Sequence, residues 1–282
     1  MSSADPKVKH GAGLSLLASE LRILFGRRRT WAMLAAVALI PILLAVALRL
    51  TSAGVEPGQG PPFLDRVTQN GLFVSFTAMV VAIPLFLPLT VGVVAGDTLA
   101  GEASHGTLRY LLVAPAGRLR LLIVKFAGAI AFCIAATLTL VVAGTIIGAL
   151  LFPVGPVTLL SGDVISVPES AVRALLVAAY VSLSLLGLSA IGLFISSLTS
   201  VPVGAMAATV VVSVVSQILG ALPQLEWLHP WLFTDTWLGF SGLLSQPMDG
   251  TAFGANAVLQ GGYAAVFFAL AYSRFTTKDI LS

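Results

Sequence analysis

The sequence predicts an all-α, polytopic membrane protein with six transmembrane helices. Of its 282 residues, 57% are hydrophobic and only 10% are charged, whereas soluble domains carry about 25% charged residues. The mean hydropathy is +1.00. The apolar residues form long runs, and a run of roughly 20 such residues crosses about 30 Å of hydrocarbon. The single cysteine, Cys133, lies in one of these runs, which excludes an intrachain disulfide and a cysteine-based metal framework.

Six apolar runs are long enough to span the membrane. They follow a polar N-terminal segment, residues 1–30, and form a single transmembrane domain, residues 31–282. The predicted spans are 31–50, 71–95, 121–151, 171–198, 203–222 and 256–273. Pro84 and Pro88 lie inside the second span, so we expect it to be bent or locally unwound. Its freed carbonyl groups either line a cavity or are satisfied by neighbouring helices.

The N-terminal segment carries an amphipathic pattern. Leucines recur at intervals of three or four residues, with Glu20 and Arg22 expected on the opposite side of the helix. The leucines are Leu14, Leu17, Leu21 and Leu24. This pattern predicts an interfacial helix that lies flat before the first span. The three arginines 27–29 that follow are expected to anchor it beside anionic lipid.

Basic residues are divided unequally between the two sides of the membrane in this layout. Twelve are expected in the cytoplasm: Lys7, Lys9, Arg22, Arg27, Arg28, Arg29, Arg109, Arg118, Arg120, Lys125, Arg274 and Lys278. Three are expected outside: Arg49, Arg66 and Arg173. Because cytoplasmic loops are enriched in lysine and arginine, the distribution places both termini in the cytoplasm. Since the charges lie in loops that this rule explains, nucleic acid is not expected as a partner.

The segment between spans five and six has a different composition. Residues 223–255 contain three of the four tryptophans, several acidic residues and no lysine or arginine. Tryptophan is enriched where a protein meets the membrane interface. We therefore expect short helices here that lie at the outer interface or dip into it.

The polar passage at residues 96–125 separates the second and third spans. Seven ionisable residues fall in it: Asp97, Glu102, His105, Arg109, Arg118, Arg120 and Lys125. Leu108, Leu111 and Leu112 follow a helical spacing, Gly106 can end the preceding helix, and Pro115 disfavours helix beyond Ala114. This predicts a short amphipathic helix on the cytoplasmic side, with an apolar face suited to a partner protein.

In order and spacing, these residues resemble the membrane permeases of type-2 ABC (ATP-binding cassette) transporters. The matching positions are Asp97, Gly101-Glu102, Gly106-Thr107-Leu108, Leu111-Leu112, Pro115, Arg118 and Lys125. The resemblance implies a coupling helix, about 103–114, that contacts a separate ATPase subunit. It also implies an outer re-entrant hairpin between spans five and six. An ordinary solvated loop is the alternative interpretation.

The resemblance further implies an assembly and a set of contact residues. Two ATPase subunits would pair with two copies of this chain, or with this chain and a close relative, in a bacterial plasma (inner) membrane. The N-terminal helix would either brace the ATPase contact or serve as a plain anchor. The residues expected to couple to the ATPase are Asp97, Glu102, Gly106, Thr107, Leu108, Leu111 and Arg118. Glu102 would pair with a basic ATPase residue, and the alternative role for Asp97 is to cap local backbone N–H groups.

No catalytic chemistry is indicated by the sequence. The chain contains no Gly-Lys dipeptide, which a phosphate-binding loop of the G-x-x-x-x-G-K-[ST] type requires. We therefore expect no cofactor in this chain, and ATP and Mg²⁺ in the partner ATPase. The three histidines are scattered, which argues against a metal site. Ser189 lies in a Gly-Leu-Ser sequence, but no span holds a histidine to activate it, so helix packing is its expected use.

The central parts of the predicted spans contain no charged residue, which disfavours a secondary transporter driven by an ion relay. The remaining candidates for lining a pathway are weakly polar or break a helix: Pro84, Pro88, Gln217, Asn256, Gln260 and Tyr263. Such a pathway suits export of a hydrophobic or amphiphilic cargo. A non-transporting scaffold subunit that still binds an ATPase is the alternative.

Overall fold

A computed structural model of the protein describes residues 12–51, 67, 69–106, 117–159 and 161–277. In these ranges the chain forms nine α-helices. They are α1 (Ala12–Gly26), α2 (Arg28–Thr51), α3 (Val74–Ala82), α4 (Phe86–Ser104), α5 (Arg118–Leu151), α6 (Val167–Ser184), α7 (Leu186–Leu198), α8 (Pro202–Gly220) and α9 (Thr251–Thr277). Three 3₁₀-helices accompany them at Gly71–Phe73, Pro223–Trp231 and Asp235–Leu244.

The predicted multi-pass, apolar helical architecture is confirmed. Within the described residues, five helices are long and apolar enough to cross a membrane, when the continuous α6 and α7 are counted as one helix. A sixth span is added if α3 and α4 together form one broken span. The first candidate span, α2, begins at Arg28, within the arginine cluster, instead of at the predicted residue 31. The last covers Thr251–Thr277, several residues longer at each end than the predicted 256–273.

The predicted bend in the second span is confirmed, and its position follows from a proline. Helices α3 and α4 meet at an angle of 60°, with Pro84 in the break between them. Gln217 of α8 donates a hydrogen bond from Nε2 to the carbonyl of Pro84 at 2.7 Å. This carbonyl is thus satisfied by a neighbouring helix, as kinked membrane helices require.

Two boundaries of the polar passage were predicted wrongly. Helix α4 continues to Ser104 and α5 begins at Arg118. Asp97 and Glu102 therefore lie on a helix and not in a loop, and Lys125 lies on α5, inside the predicted third span. Since i and i+4 positions share a helix face, these charges are held in fixed directions by the helices that carry them.

The structure also departs from a purely α-helical chain. A short antiparallel ribbon pairs Val157–Thr158 (β1) with Val164–Ile165 (β2) in the connection between α5 and α6. Gly162, with φ of +95°, forms its turn, and the Leu159 N–H donates to the Asp163 carbonyl at 2.8 Å. A two-residue strand carries too little periodicity for the sequence to reveal it.

Small residues let several helices approach closely. The Gly71 and Gly148 backbones are in such close contact that a Cβ added to Gly148 would lie 1.9 Å from the Gly71 carbonyl oxygen. One helical turn away, a Cβ at Gly144 would lie 2.7 Å from the Ser75 Cα. Close backbone contact at glycines four residues apart is typical of membrane helices.

The two ends of the helix bundle are chemically different. We call the end formed by the start of α2, the end of α4, the start of α5 and the end of α9 the ionic end. The opposite end is the capped end, because residues 223–247 lie across it. Among the described residues, all lysines and arginines except Arg49 and Arg173 lie on the ionic side.

Short helices do occur between spans five and six, at Pro223–Trp231 and Asp235–Leu244, while their position at the outer membrane interface stays a prediction. Of the three tryptophans, Trp237 is buried in the Asp235–Leu244 helix, while Trp227 and Trp231 are exposed on the Pro223–Trp231 helix. The Trp237 indole donates to the Ser184 carbonyl at 2.9 Å, and the Tyr180 hydroxyl donates to the Thr236 carbonyl at 2.6 Å. These bonds attach the cap to α6.

Candidate functional site

Three helices meet around the ammonium group of Lys125 at the ionic end. Its Nζ lies 2.9 Å from Glu20 Oε2 and 3.0 Å from Glu102 Oε1. The Lys125 side chain is only 5% exposed, and the two carboxylates are 17% and 18% exposed. A charge this deeply buried is stable only when it is paired and hydrogen-bonded. Lys125 on α5 therefore ties α1, through Glu20, to α4, through Glu102.

A second ion pair lies beside the first. Asp97 of α4 accepts hydrogen bonds from Arg27, at 3.2 Å, and from Arg29. The arginine side chains are 47% and 43% exposed. Exposed ion pairs contribute only about 0–1 kcal/mol each, so this contact orients the α1–α2 junction more than it stabilises it. We call Glu20, Lys125, Glu102, Asp97, Arg27 and Arg29 together the ionic cluster.

The cavity enclosed by the ionic cluster is small. Its volume is about 30 Å³, whereas ligand pockets measure about 300–1,000 Å³. It has room for water and not for a cargo molecule. The ionic cluster is therefore a joint between helices.

Glycines in a left-handed conformation stand at both ends of the 107–116 segment. Gly106 has φ of +70° and Gly117 has φ of +74°. Gly106 follows the last turn of α4, where its N–H donates to the Ala103 carbonyl at 3.1 Å. Residues with a side chain adopt such φ values only at a cost in free energy. Glycine at these two positions therefore sets where α4 ends and where α5 begins.

The start of α5, which follows the 107–116 segment, is bonded to α9, the last described helix. Arg118 donates from Nη1 to the carbonyls of Thr276, at 2.6 Å, and Phe275, at 3.3 Å. Carbonyl groups at a helix C-terminus lack intrahelical partners, and a guanidinium is well suited to satisfy them. A small apolar cluster lies in the same region. It comprises Leu99, Leu122, Leu193, Ala271 and Phe275.

The structure places the predicted coupling residues in three groups. Asp97, Glu102 and Arg118 lie around the base of the segment, and Gly106 forms one of its ends. Thr107, Leu108 and Leu111 fall outside the described residues, as does most of the predicted helix 103–114.

The contacts of the charged residues differ from those expected. Glu102 is bound to Lys125 within the chain, where we expected a basic ATPase residue. Asp97 binds Arg27 and Arg29, whereas the two roles expected for it were a contact with the ATPase or a cap on local backbone N–H groups. Glu20 points into the bundle, contrary to its predicted place on the solvent side of the N-terminal helix. The buried ammonium of Lys125 pairs with Glu20 and Glu102, and two partly exposed arginines pair with Asp97. A cation is a stronger partner for a carboxylate than water or a backbone amide.

The predicted pathway residues lie elsewhere, nearer the capped end. Asn256 and Gln260 are fully buried on α9. Asn256 Nδ2 donates to Ser184 Oγ at 2.8 Å, and Gln260 Nε2 donates to the Phe233 carbonyl at 2.7 Å. The Tyr263 hydroxyl donates to the Trp231 carbonyl at 2.7 Å. These side chains fasten the cap in this conformation, and their role in a pathway stays a prediction.

The two prolines of that prediction are treated differently by the structure. Pro84 lies in the helix break and presents its carbonyl to Gln217. Pro88 is buried in the first turn of α4, where a missing N–H costs no hydrogen bond.

Sequence reasoning missed the joint itself. Lys125 lies inside the apolar run predicted as the third span, and a charge within a span calls for a partner. Glu20 is an acid among leucines in an otherwise basic segment. These two signals could have suggested the pair, although no spacing rule connects residues 105 positions apart.

The chain belongs to a family described as proteins of unknown function (DUF2705), whose model matches residues 38–281. The match begins within α2 and covers the ionic end of α4, α5 and α9 as well as the cap. A search of curated proteins found no significant match.

Proposed function

We propose that this member of the DUF2705 family is the transmembrane permease subunit of an ATP-driven ABC exporter. A separate ATPase subunit would contact the 96–120 region and supply ATP and Mg²⁺. Two copies of the chain, or this chain with a close relative, would pair with two ATPase subunits. The cargo would be hydrophobic or amphiphilic, because the described spans carry few ionisable groups.

The observation that best supports this proposal is the ionic cluster on α4 and α5, the two helices that the 107–116 segment joins. Coupling requires that a push on one element move several helices together. The segment joins α4 directly to α5, Lys125 binds α1 and α4, and Arg118 binds α9. A partner that displaces the segment would therefore act on four helices at once.

The proposed orientation places the ionic end in the cytoplasm of a bacterial cell, with the chain in the plasma membrane. The concentration of described basic residues at that end supports this, since cytoplasmic ends are rich in lysine and arginine. Both termini would then be cytoplasmic, on the side where ATP is available.

A non-transporting scaffold subunit is the second candidate. It is favoured by one observation: Asn256 and Gln260, both expected in a pathway, are fully buried and bonded within the chain. A scaffold would bind the ATPase in the same way but would move no cargo.

The deciding experiment co-expresses the chain with an ABC ATPase from the same genome, sought first in the neighbouring reading frames, and purifies the complex by a tag on the permease. In the variant Leu108→Asp with Leu111→Asp, we expect normal membrane insertion but loss of the ATPase. Each leucine contributes roughly 1.5–3 kcal/mol when buried against a partner, so two charged replacements should reduce recovery by well over tenfold.

The matched control is Val154→Asp with Val164→Asp, two exposed apolar residues of the connection between α5 and α6 at the capped end. This control should retain the ATPase. Co-purification at the wild-type yield from the double leucine variant would contradict the proposal. Retained ATPase binding without cargo export in reconstituted vesicles would favour the scaffold.

A further inference from the structure

A lateral groove lies between α5 and the continuous α6–α7 segment. Its volume is about 420 Å³, which falls within the range of about 300–1,000 Å³ that is typical of ligand pockets. Six of its lining residues define the two walls: Ile130, Ile134 and Leu138 on α5, and Leu175, Ala179 and Leu183 on α6. The groove is at the central turns of both helices, far from either end of the bundle.

The groove is concave because of small side chains on α6. Ala178, Ala179 and Ser182 leave space between larger residues on either side. The rims are open, with Ile134 45% and Leu175 57% exposed. At the middle of a spanning helix, the medium beyond these rims is hydrocarbon.

The polar atoms in the groove are already bonded to each other and to the backbone. Thr137 Oγ1 lies 2.7 Å from Ser182 Oγ. Thr137 Oγ1 also lies 3.0 Å from the Ile134 carbonyl, and Ser182 Oγ lies 2.7 Å from the Ala178 carbonyl. Each hydroxyl has a single hydrogen, and both hydrogens have acceptors within the chain. A ligand here would therefore be selected by apolar contact and not by a hydrogen bond.

We infer that this groove binds one hydrocarbon chain of a membrane lipid, which enters sideways from the bilayer. The groove volume of about 420 Å³ is small for a helix from a second copy, because a helix with its side chains is about 10–12 Å across. The inference depends on the position of α5 and α6 in the membrane and not on the proposed ATPase coupling. Either can fail without the other.

The test uses the full chain in nanodiscs of phosphatidylcholine and phosphatidylglycerol. A small fraction of the phosphatidylcholine carries a diazirine at the middle of one acyl chain. After illumination, cross-linked peptides are identified by mass spectrometry. We expect labelling to concentrate on residues 130–138 and 175–186, above the level on the exposed faces of α2 and α9.

The variant Ala179→Phe fills the groove, and Ala265→Phe places the same side chain on an exposed face of α9. We expect groove labelling to fall about tenfold in the first, since each buried methylene that is lost removes roughly fourfold in affinity. The second should leave groove labelling unchanged. If Ala179→Phe does not fold, Ala179→Leu gives the same comparison with a smaller side chain.

Two results would overturn the inference. One is labelling spread evenly over all exposed faces of the wild-type chain, which would mean that the groove has no preference for a lipid. The other is a cross-link between the α6 helices of two copies, formed when cysteine replaces Ala179. That result would assign the groove to a second copy of this chain.

Discussion

The ionic end and the capped end both join elements that are distant in sequence, but they do so with different kinds of bond. At the ionic end, helices that are distant in sequence are joined by charged pairs, with Lys125 between Glu20 and Glu102. At the capped end, residues 223–247 are held mainly by neutral side chains that bond to carbonyls. Gln260, for example, donates to the Phe233 carbonyl at 2.7 Å and accepts from the Gly187 N–H at 3.2 Å.

Among the described residues at the capped end, Arg173 is the buried cation, and it follows the neutral pattern in most of its bonds. Arg173 donates to the carbonyls of Leu243, at 2.7 Å, and Ser245, at 2.8 Å. It pairs with a carboxylate only at Glu169, whose side chain is 46% exposed. Burial raises the pKa of the Asp235 carboxyl at this end, whereas hydrogen bonds from Thr251 lower the pKa of the Asp249 carboxyl.

The two kinds of bond suit different mechanical roles at the two ends of the bundle. Charged pairs can be exchanged for pairs with a partner or with water, so a joint built from them is suited to an end that moves. Neutral bonds inside an apolar surrounding have no such substitute, and they suit an end that stays closed. The following predictions test this contrast.

The largest expected effect is all-or-none and concerns which end faces the cytoplasm. In a Cys133→Ala background, cysteine replaces Ser161 at the capped end or Ser104 at the ionic end, both exposed. An impermeant maleimide should label position 161 in intact cells and position 104 only after lysis. Ser52, outside the described residues, should behave like position 161. Labelling of position 104 in intact cells would reverse the orientation.

The next largest effect is expected from Lys125→Met. It leaves two partly buried carboxylates without their cation, a change that costs about 3 kcal/mol at the lower end of the range for buried pairs. Hydrogen exchange of the α1 amides should accelerate about 100-fold, while exchange in residues 223–247 should not change. Arg22→Met, on the exposed face of α1, is the control and should have little effect.

Rescue distinguishes charge from packing at Lys125. The triple variant Lys125→Met, Glu20→Gln and Glu102→Gln removes the unpaired charges and should restore most of the α1 protection. If the triple variant is as unprotected as the single one, the joint depends on the shape of the lysine side chain and the contrast between the ends is weakened.

A smaller effect is expected from Gln260→Leu, and it should occur at the capped end instead of the ionic end. The Phe233 carbonyl and the Gly187 N–H lose their partner, which costs about 1–2 kcal/mol. Exchange should accelerate in residues 223–247 and not in α1. Tyr263→Phe removes a single bond to the Trp231 carbonyl and should have a lesser effect. Faster exchange in α1 after Gln260→Leu would show that the two ends are not independent.

The most local effect is expected at the glycines that bound the 107–116 segment. An added Cβ meets no atom within 4 Å at Gly106, Gly117 or Gly162, so alanine at each would test backbone conformation alone. Each substitution should cost about 1–2 kcal/mol in local stability. Alanine at Gly106 or Gly117 should also lower ATP hydrolysis by the complex, whereas Gly162→Ala should not. Equal ATP hydrolysis by all three variants would separate the segment from coupling.

The sequence by itself determined the membrane class, the approximate spans and the bend. These follow from local properties: the length of an apolar run, the missing N–H of Pro84 and Pro88, and the tryptophans between residues 223 and 255. The concentration of basic residues in particular connections could also be read along the chain. Each of these features depends on neighbours in sequence, so no knowledge of helix packing was needed.

Only the tertiary structure decided how the charged and amide side chains are paired. Whether Glu20 faces water or Lys125 depends on the rotation of α1 against α5, two helices separated by most of the first half of the chain. The sequence likewise left open whether Gln260 lines a pathway or bonds to the Phe233 carbonyl, as it does in the structure. The close contact of Gly71 with Gly148 also depends on how their helices pack. Helical periodicity fixes which residues share a face, but the rotation and offset of one helix against another come from packing. The joint at the ionic end is therefore a property of the fold and not of any motif.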